Sequence, residues 1–304
     1  MAQVRARVSP LSRIQKIKEA RLRAKGTKIA PGIHPSNTTA IWYRDQLDKH
    51  IDAMHAAIEA ELYPLLRADS QVLQVVDAKW FQNRDSLFGT LLAQFKKLTA
   101  QWEIANTTAL GLASAFVGKV DATTKKAIEK VVGDAMGVDL VKIIDTEGLR
   151  DITEAGIAAN VSLIKSIPKD YLDKIEMIIT QEGTKGRTGE SLIKQIQEVY
   201  PVTKRRAEFI ARDQTAKLNG DITRQRQVAA GIRGYRWRTV GDGAVRESHK
   251  ERNGKFYAWN PEDVGQKLED GSVMLDPEAD DIGHPGEDYR CRCIAEAVIE
   301  FDRI

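Results

Sequence analysis

Residues 204–240 read KRRAEFIARDQTAKLNGDITRQRQVAAGIRGYRWRTV, and the side-chain periodicity changes inside this stretch. From Lys204 to Ala230, Ile210, Ala211, Thr215, Leu218 and Ile222 fall on one side of a helix, and Gly231 caps its end. From Gly234 to Val240 the residues alternate instead, with Tyr235, Trp237 and Thr239 pointing one way, which is the two-residue repeat of a strand. A long helix hands over to a sheet at this point. The chain is therefore expected to be α+β: a mostly helical N-terminal body followed by a small α+β module with a short antiparallel sheet.

Towards the N-terminus the pattern stays helical. Ser36-Asn37-Thr38-Thr39 is a capping cluster, and the helix after it carries Ile51, Met54, Ile58 and Leu62 as one apolar stripe until Pro64 ends or kinks it. Phe88, Leu91, Leu92, Phe95, Leu98 and Trp102 predict a second long helix over 85–116. Shorter helices are expected near 123–132 and 147–165. A Pro168-marked turn then leads into a helix ending at Gly183, and a helix over 191–200 is expected to stop at Pro201. Towards the C-terminus, 255–259 is a second short strand, 260–290 a long loop rich in Gly, Pro, Asp and Glu, and 291–301 a closing strand. The expected organisation is a basic flexible arm (1–36), a helical domain (37–200) and the α+β module (201–304).

The chain has 304 residues, 42% hydrophobic and 29% charged, a composition able to build a packed core. No run approaches the roughly 18 apolar residues of a transmembrane helix, so no membrane partner is expected. The N-terminus lacks the apolar segment of a signal peptide, which predicts folding in a cytoplasm. The two cysteines, Cys291 and Cys293, are too close for an unstrained structural disulfide. Net charge is only +3, but residues 1–35 hold +8 of it, leaving −5 on the rest. Arg5, Arg7, Arg13, Lys16, Lys18, Arg21, Arg23 and Lys25 make the arm a candidate contact for DNA or an acidic protein surface.

The chemically distinctive residues crowd into the last hundred positions. IARDQTAKLN (210–219), GIRGYRWRTVGD (231–242), VRESHKERNGKFYAW (245–259) and HPGEDYRCRCIAE (284–296) follow one another in order. In this order and spacing they resemble the phage head-morphogenesis family of Mu F-like proteins, which includes the minor head protein of phage SPP1. The resemblance covers about 190–299. It implies a structural, non-enzymatic virion protein, located in the virion head, associated with the portal protein and acting in procapsid assembly. Scaffold protein, major capsid protein and packaged DNA are further partners that it brings into view. Many members of the family carry Cys-x-x-Cys where this chain has Arg246-Glu247-Ser248-His249, so their four-thiolate arrangement cannot form here.

What remains for a metal is His249, Cys291 and Cys293, with His284, Asp242 or Asp288 as the fourth ligand, a donor set that zinc accepts. The alternative is that both cysteines are buried as small apolar groups. No other cofactor is expected. Arg212, Asp213, Asp242, Arg246, Glu287 and Asp288 read as a polar set that braces loops, and Asn253-Gly254 as a turn. Three alternatives stand beside the structural class, the first a zinc hydrolase with Glu287 as general base, for which three ligands and an open position are marginal. A metal-dependent nuclease would draw on His249, Asn253 and His284, but Asn253 follows His249 too closely to sit on the other strand of a hairpin. A nucleic-acid-binding protein, zinc-binding in one form, would use Tyr235 and Trp237, set between Arg236 and Arg238, to stack bases, although a small sheet needs such large side chains as core anchors and one of the two is expected there. No phosphate-binding glycine loop, nucleophile elbow or His-Glu-x-x-His run occurs.

Overall fold

The computed structural model describes residues 26–72, 80–102, 106–137, 148–184, 189–280 and 282–301, and the side chains of 69–72, 80–88, 106 and 182–184 fall outside that description. The arm side chains from Arg5 to Lys25, and Phe88, therefore lie outside the described residues. In chain order the elements are β1 (Thr27–Ile29), α1 (Asn37–Glu61), α2 (Tyr63–Val72), α3 (Trp80–Gln101), α4 (Asn106–Met136), α5 (Leu149–Thr184), α6 (Gly189–Ala229), β2 (Gly234–Arg238), α7 (Glu247–Arg252), β3 (Phe256–Ala258) and β4 (Ile294–Glu300). The class is α+β, helices first and a small antiparallel sheet after them.

Several boundaries differ from the sequence reading, each for a physical reason. The 85–116 helix is two, α3 and α4, and the expected 123–132 helix is the second half of α4. Asn106-Thr107-Thr108 opens α4 just as Asn37-Thr38-Thr39 opens α1, a start signal that the apolar stripe conceals. Pro168 does not turn the chain, nor does Pro201 stop it, since α5 and α6 run through them. A proline inside a helix costs about 3 kcal/mol. The stripe on both sides of each outweighs that cost: Ile164, Ile167, Tyr171, Leu172, Ile175 and Ile179 are buried around Pro168, and Ile193, Ile196, Thr203, Ala207 and Ile210 around Pro201.

Two compact units emerge. One comprises 38–116 and 157–212. Within it the α1 stripe Tyr43, Leu47, Ile51, Met54 and Ile58 is buried, with the Tyr43 ring stacked on Phe116 at 4.0 Å and its hydroxyl donating to Asn160 Oδ1 at 3.0 Å. The His55 ring stacks on Tyr200, whose hydroxyl donates to Asp52 at 2.6 Å.

The other unit takes in 117–156 and 213–304 together with the chain's beginning, described from Gly26 to Asn37. It holds the sheet, ordered β1-β4-β2-β3 with all pairs antiparallel. The closing strand β4 is therefore central, and all seven of its residues are buried. The end of the arm is not free: Thr27–Ile29 pairs with β4, and the Ala30 N–H donates to Ala297 O at 2.9 Å. Alternation then assigns the faces. Tyr235, Trp237, Ala295, Ala297, Ile299 and Phe301 join Ile128, Val132 and Met136 of α4 in one core. On the opposite face Val298 packs with Leu268 and Met274, so the 260–290 excursion covers the sheet there, and Glu296 receives Arg236 and Arg238.

Candidate functional site

The site begins with the turn that precedes β4. Cys291 N–H donates to Asp288 O at 3.0 Å, closing a turn over 288–291. Within it Arg290 has φ 58°, a left-handed conformation that costs a non-glycine residue about 1–2 kcal/mol. Asp213 of α6, itself buried, secures it by accepting the Arg290 N–H at 2.9 Å. This strained turn delivers Cys291 and Cys293 to the one-and-a-half-turn helix α7, where His249 waits.

His249, Cys291 and Cys293 are 2%, 4% and 7% exposed, and their ligand atoms all lie within 4.8 Å of one another. Both sulfurs approach the same ring nitrogen: Cys293 Sγ is 3.4 Å and Cys291 Sγ 3.7 Å from His249 Nδ1. The other nitrogen, Nε2, faces Asp288 Oδ2 at 3.2 Å. A carboxylate accepts only, so Nε2 carries the proton and Nδ1 keeps its lone pair for the sulfurs. Trp237 meets the imidazole edge-on, with ring centroids 5.6 Å apart. The Gly286 N–H donates to Cys291 Sγ at 3.4 Å. The Cys291 thiol is pulled down to about 6, first by its hydrogen bond with Cys293 and then by the Gly286 N–H and other nearby groups, against burial. Cys293 is pushed well up by the same hydrogen bond and by burial.

His284 does not join this group. Its Nδ1 pairs with the Tyr235 hydroxyl at 3.0 Å and its ring lies 5.0 Å from that of Trp259. Burial, with Arg224 and Arg252 nearby, lowers its pKa to about 3, so it is a neutral core histidine. Asp242 is also elsewhere, forked onto Arg292 at 2.5 and 2.7 Å. Of the expected bracing set, Arg246 donates to Asp288 at 2.7 Å and to Tyr289 O, while Glu287 accepts the His284 N–H at 2.9 Å. Among the described residues Arg212 pairs with Glu208 one helical turn away and its side chain is 76% exposed, because successive helix residues point about 100° apart and Arg212 faces outward where Asp213 turns in.

Neither a base-stacking patch nor a His249–Asn253–His284 group is assembled among the described residues. Tyr235 and Trp237 are fully buried core anchors, with no face open for stacking bases. Asn253 Oδ1 accepts the Thr239 N–H at 3.0 Å as a turn clasp, so His249, Asn253 and His284 do not form one site. Arg252 was not singled out in the sequence. It is 3% exposed, donates to Gly283 O at 2.9 Å, to Pro277 O at 2.8 Å and to Asp280, and lies over the Trp237 and Tyr257 rings at 5.0 and 5.1 Å. It ties the long excursion to the sheet.

Residues 173–296 match the family described as "Phage Mu protein F like protein", a span that encloses α6, the sheet strands β2 and β3, the His249–Cys291–Cys293 group and the start of β4. A curated relative from Haemophilus influenzae (strain ATCC 51907 / DSM 11121 / KW20 / Rd), described as an uncharacterized protein, is 30% identical over 282 residues, which is 91% of this chain. The chain spans 57% of that relative's length. No solved structure matches the chain. Among the described residues, no helix is long and apolar enough to cross a membrane.

Proposed function

We propose, from the match of residues 173–296 to phage Mu F-like proteins, that the chain is a minor head protein of a tailed phage. In this reading it is a structural component of the virion head that associates with the portal protein and acts in procapsid assembly, close to scaffold or major capsid protein. The family match is the observation that carries the reading. The geometry agrees with a structural role. The polar side chains that could do chemistry are engaged with one another and with loop backbone: Asp213 on Arg290, Asp242 on Arg292, Arg246 on Asp288 and Glu287 on His284. The first three links pin one loop of the module to another or to α6, and the fourth closes the 284–287 turn, which suits a body that must keep its shape while docked in a larger assembly.

Co-expression with the portal protein encoded by the same phage tests the reading directly. The expected result is a complex that survives size-exclusion chromatography, together with a loss of normally shaped heads when the gene is deleted. Heads of normal yield and shape without the protein would overturn it. Incubation with plasmid DNA and Mg²⁺ or Mn²⁺ is expected to leave the DNA intact, and cleavage that depends on His249 would replace the structural reading with an enzymatic one.

A further inference from the structure

We propose that His249 Nδ1, Cys291 Sγ and Cys293 Sγ bind one Zn²⁺ ion, which staples α7 to the segment leading into β4. This stands apart from the head-morphogenesis reading and needs no partner protein. Distance is the first argument. Zinc holds thiolate sulfur at about 2.3 Å and imidazole nitrogen at about 2.0–2.1 Å, so a tetrahedral site separates sulfur from nitrogen by about 3.5–3.6 Å. The observed separations, 3.4 and 3.7 Å, bracket that value.

Hydrogen-bond capacity is the second argument. With Nε2 committed to Asp288, the imidazole offers a single lone pair at Nδ1, yet two buried sulfurs converge on it. At most one thiol can donate to Nδ1, the other being left to its neighbouring sulfur, whereas a cation between the three atoms takes a lone pair from each. Third, the surroundings are those of a metal-bound histidine: a carboxylate on the far ring nitrogen fixes the tautomer and raises its basicity, and a backbone N–H from Gly286 supports one sulfur. Charge also closes. Two thiolates neutralise Zn²⁺, so the buried centre carries no net charge into the core. Among the described residues these three are the ones that gather, and a water molecule takes the fourth position.

The full-length chain, purified without chelators or a metal-affinity step, is the material for the test. About one zinc per chain is expected by elemental analysis. His249→Gln, Cys291→Ser and Cys293→Ser should each abolish it, while His284→Gln, whose ring lies outside the group, should retain it. Asp288→Asn should bind about 10–100-fold more weakly in a competition with a chromophoric chelator. If the serine variants fail to fold by circular dichroism, the wild-type chain still decides the matter. After metal removal, added Zn²⁺ should shield both cysteines from alkylation and raise Tm. Zinc near zero in the wild-type chain after zinc supplementation, thiols equally reactive with and without Zn²⁺, or a Cys291–Cys293 disulfide found by mass spectrometry would overturn the proposal.

Discussion

Arg252 sits in the run Arg246-Glu247-Ser248-His249-Lys250-Glu251-Arg252, where every charge looks like part of a solvated helix. Only tertiary contact separates it from exposed Lys250 and Glu251. Truncating it to Met keeps the stem but orphans the carbonyls of Gly283 and Pro277, each an unmet acceptor in a buried place. Asp280 would suffer less, since its side chain is 55% exposed and can hydrate. Arg252→Met should therefore cost roughly 2–4 kcal/mol in urea denaturation. It should also open 275–285 to limited proteolysis. A cost within 0.5 kcal/mol of zero would show that the excursion is held by other means. Asp221 poses the opposite case, a half-buried carboxylate that the fold resists. Burial first, and Glu287 second, push it up to about 6 from an ordinary 3.8. The folded chain thus binds this proton more tightly than the unfolded chain, so the penalty is absent below about pH 4, grows between 4 and 6, and is complete above 6. Asp221→Asn should raise stability at pH 7.5 by on the order of 2 kcal/mol and leave it unchanged at pH 4. Thermal melts at the two pH values check it, and an equal gain at both would show that the charge is not the cause.

At the scale of elements, the handover from helix to strand at 231–234 was legible because the repeat itself changes from 3.6 to 2. The three residues of the candidate metal group were legible too, because Cys and His are rare here and the two cysteines are adjacent but one. The false stops at Pro168 and Pro201 were not, since a proline's local cost is visible in sequence while the buried stripe that outweighs it depends on partners far along the chain. The place of β1 was hidden for the same reason: three residues in a basic segment carry no periodicity, and their partner lies at the other end of the chain. Glycines divide along the same line. Gly220 of α6 looks like a weak point in a helix, yet a Cβ there would come within 2.7 Å of Pro285 O, in the loop that sets Asp288 and Cys291. Gly118 of α4 has nothing within 4 Å of such a Cβ. Alanine therefore has opposite effects at the two. Gly118→Ala should stabilise by about 0.5–1 kcal/mol through helix propensity. Gly220→Ala should destabilise by about 1–3 kcal/mol because backbone must move. Equal shifts in the denaturation midpoint would show that the α6–loop approach is looser than 2.7 Å implies.

At the scale of the whole molecule, the compact units are assembled from separated stretches, and the beginning of the chain belongs with its end. A linear reading divides the chain in order and cannot see that grouping. The consequence is sharpest for the basic segment, which carries an electrostatic candidate up to Lys25 and a structural strand from Thr27. The two roles separate by truncation. Removing residues 2–25 should leave Tm close to that of the intact chain, because β1 and the Ala30 contact with Ala297 remain. Removing 2–30 takes away β1 and a fully buried Ala30, exposes the edge of β4, and should lower Tm clearly. DNA affinity should respond to both deletions alike. Each phosphate neutralised contributes about −0.9 to the slope of log K against log salt, so a cluster of eight Lys and Arg gives a steep dependence that the shorter deletion should flatten. Gel-shift titrations across a range of salt concentrations make the comparison. If the 2–25 deletion leaves both affinity and slope unchanged, the eight charges do not meet DNA, and an acidic protein surface in the head becomes the contact to seek.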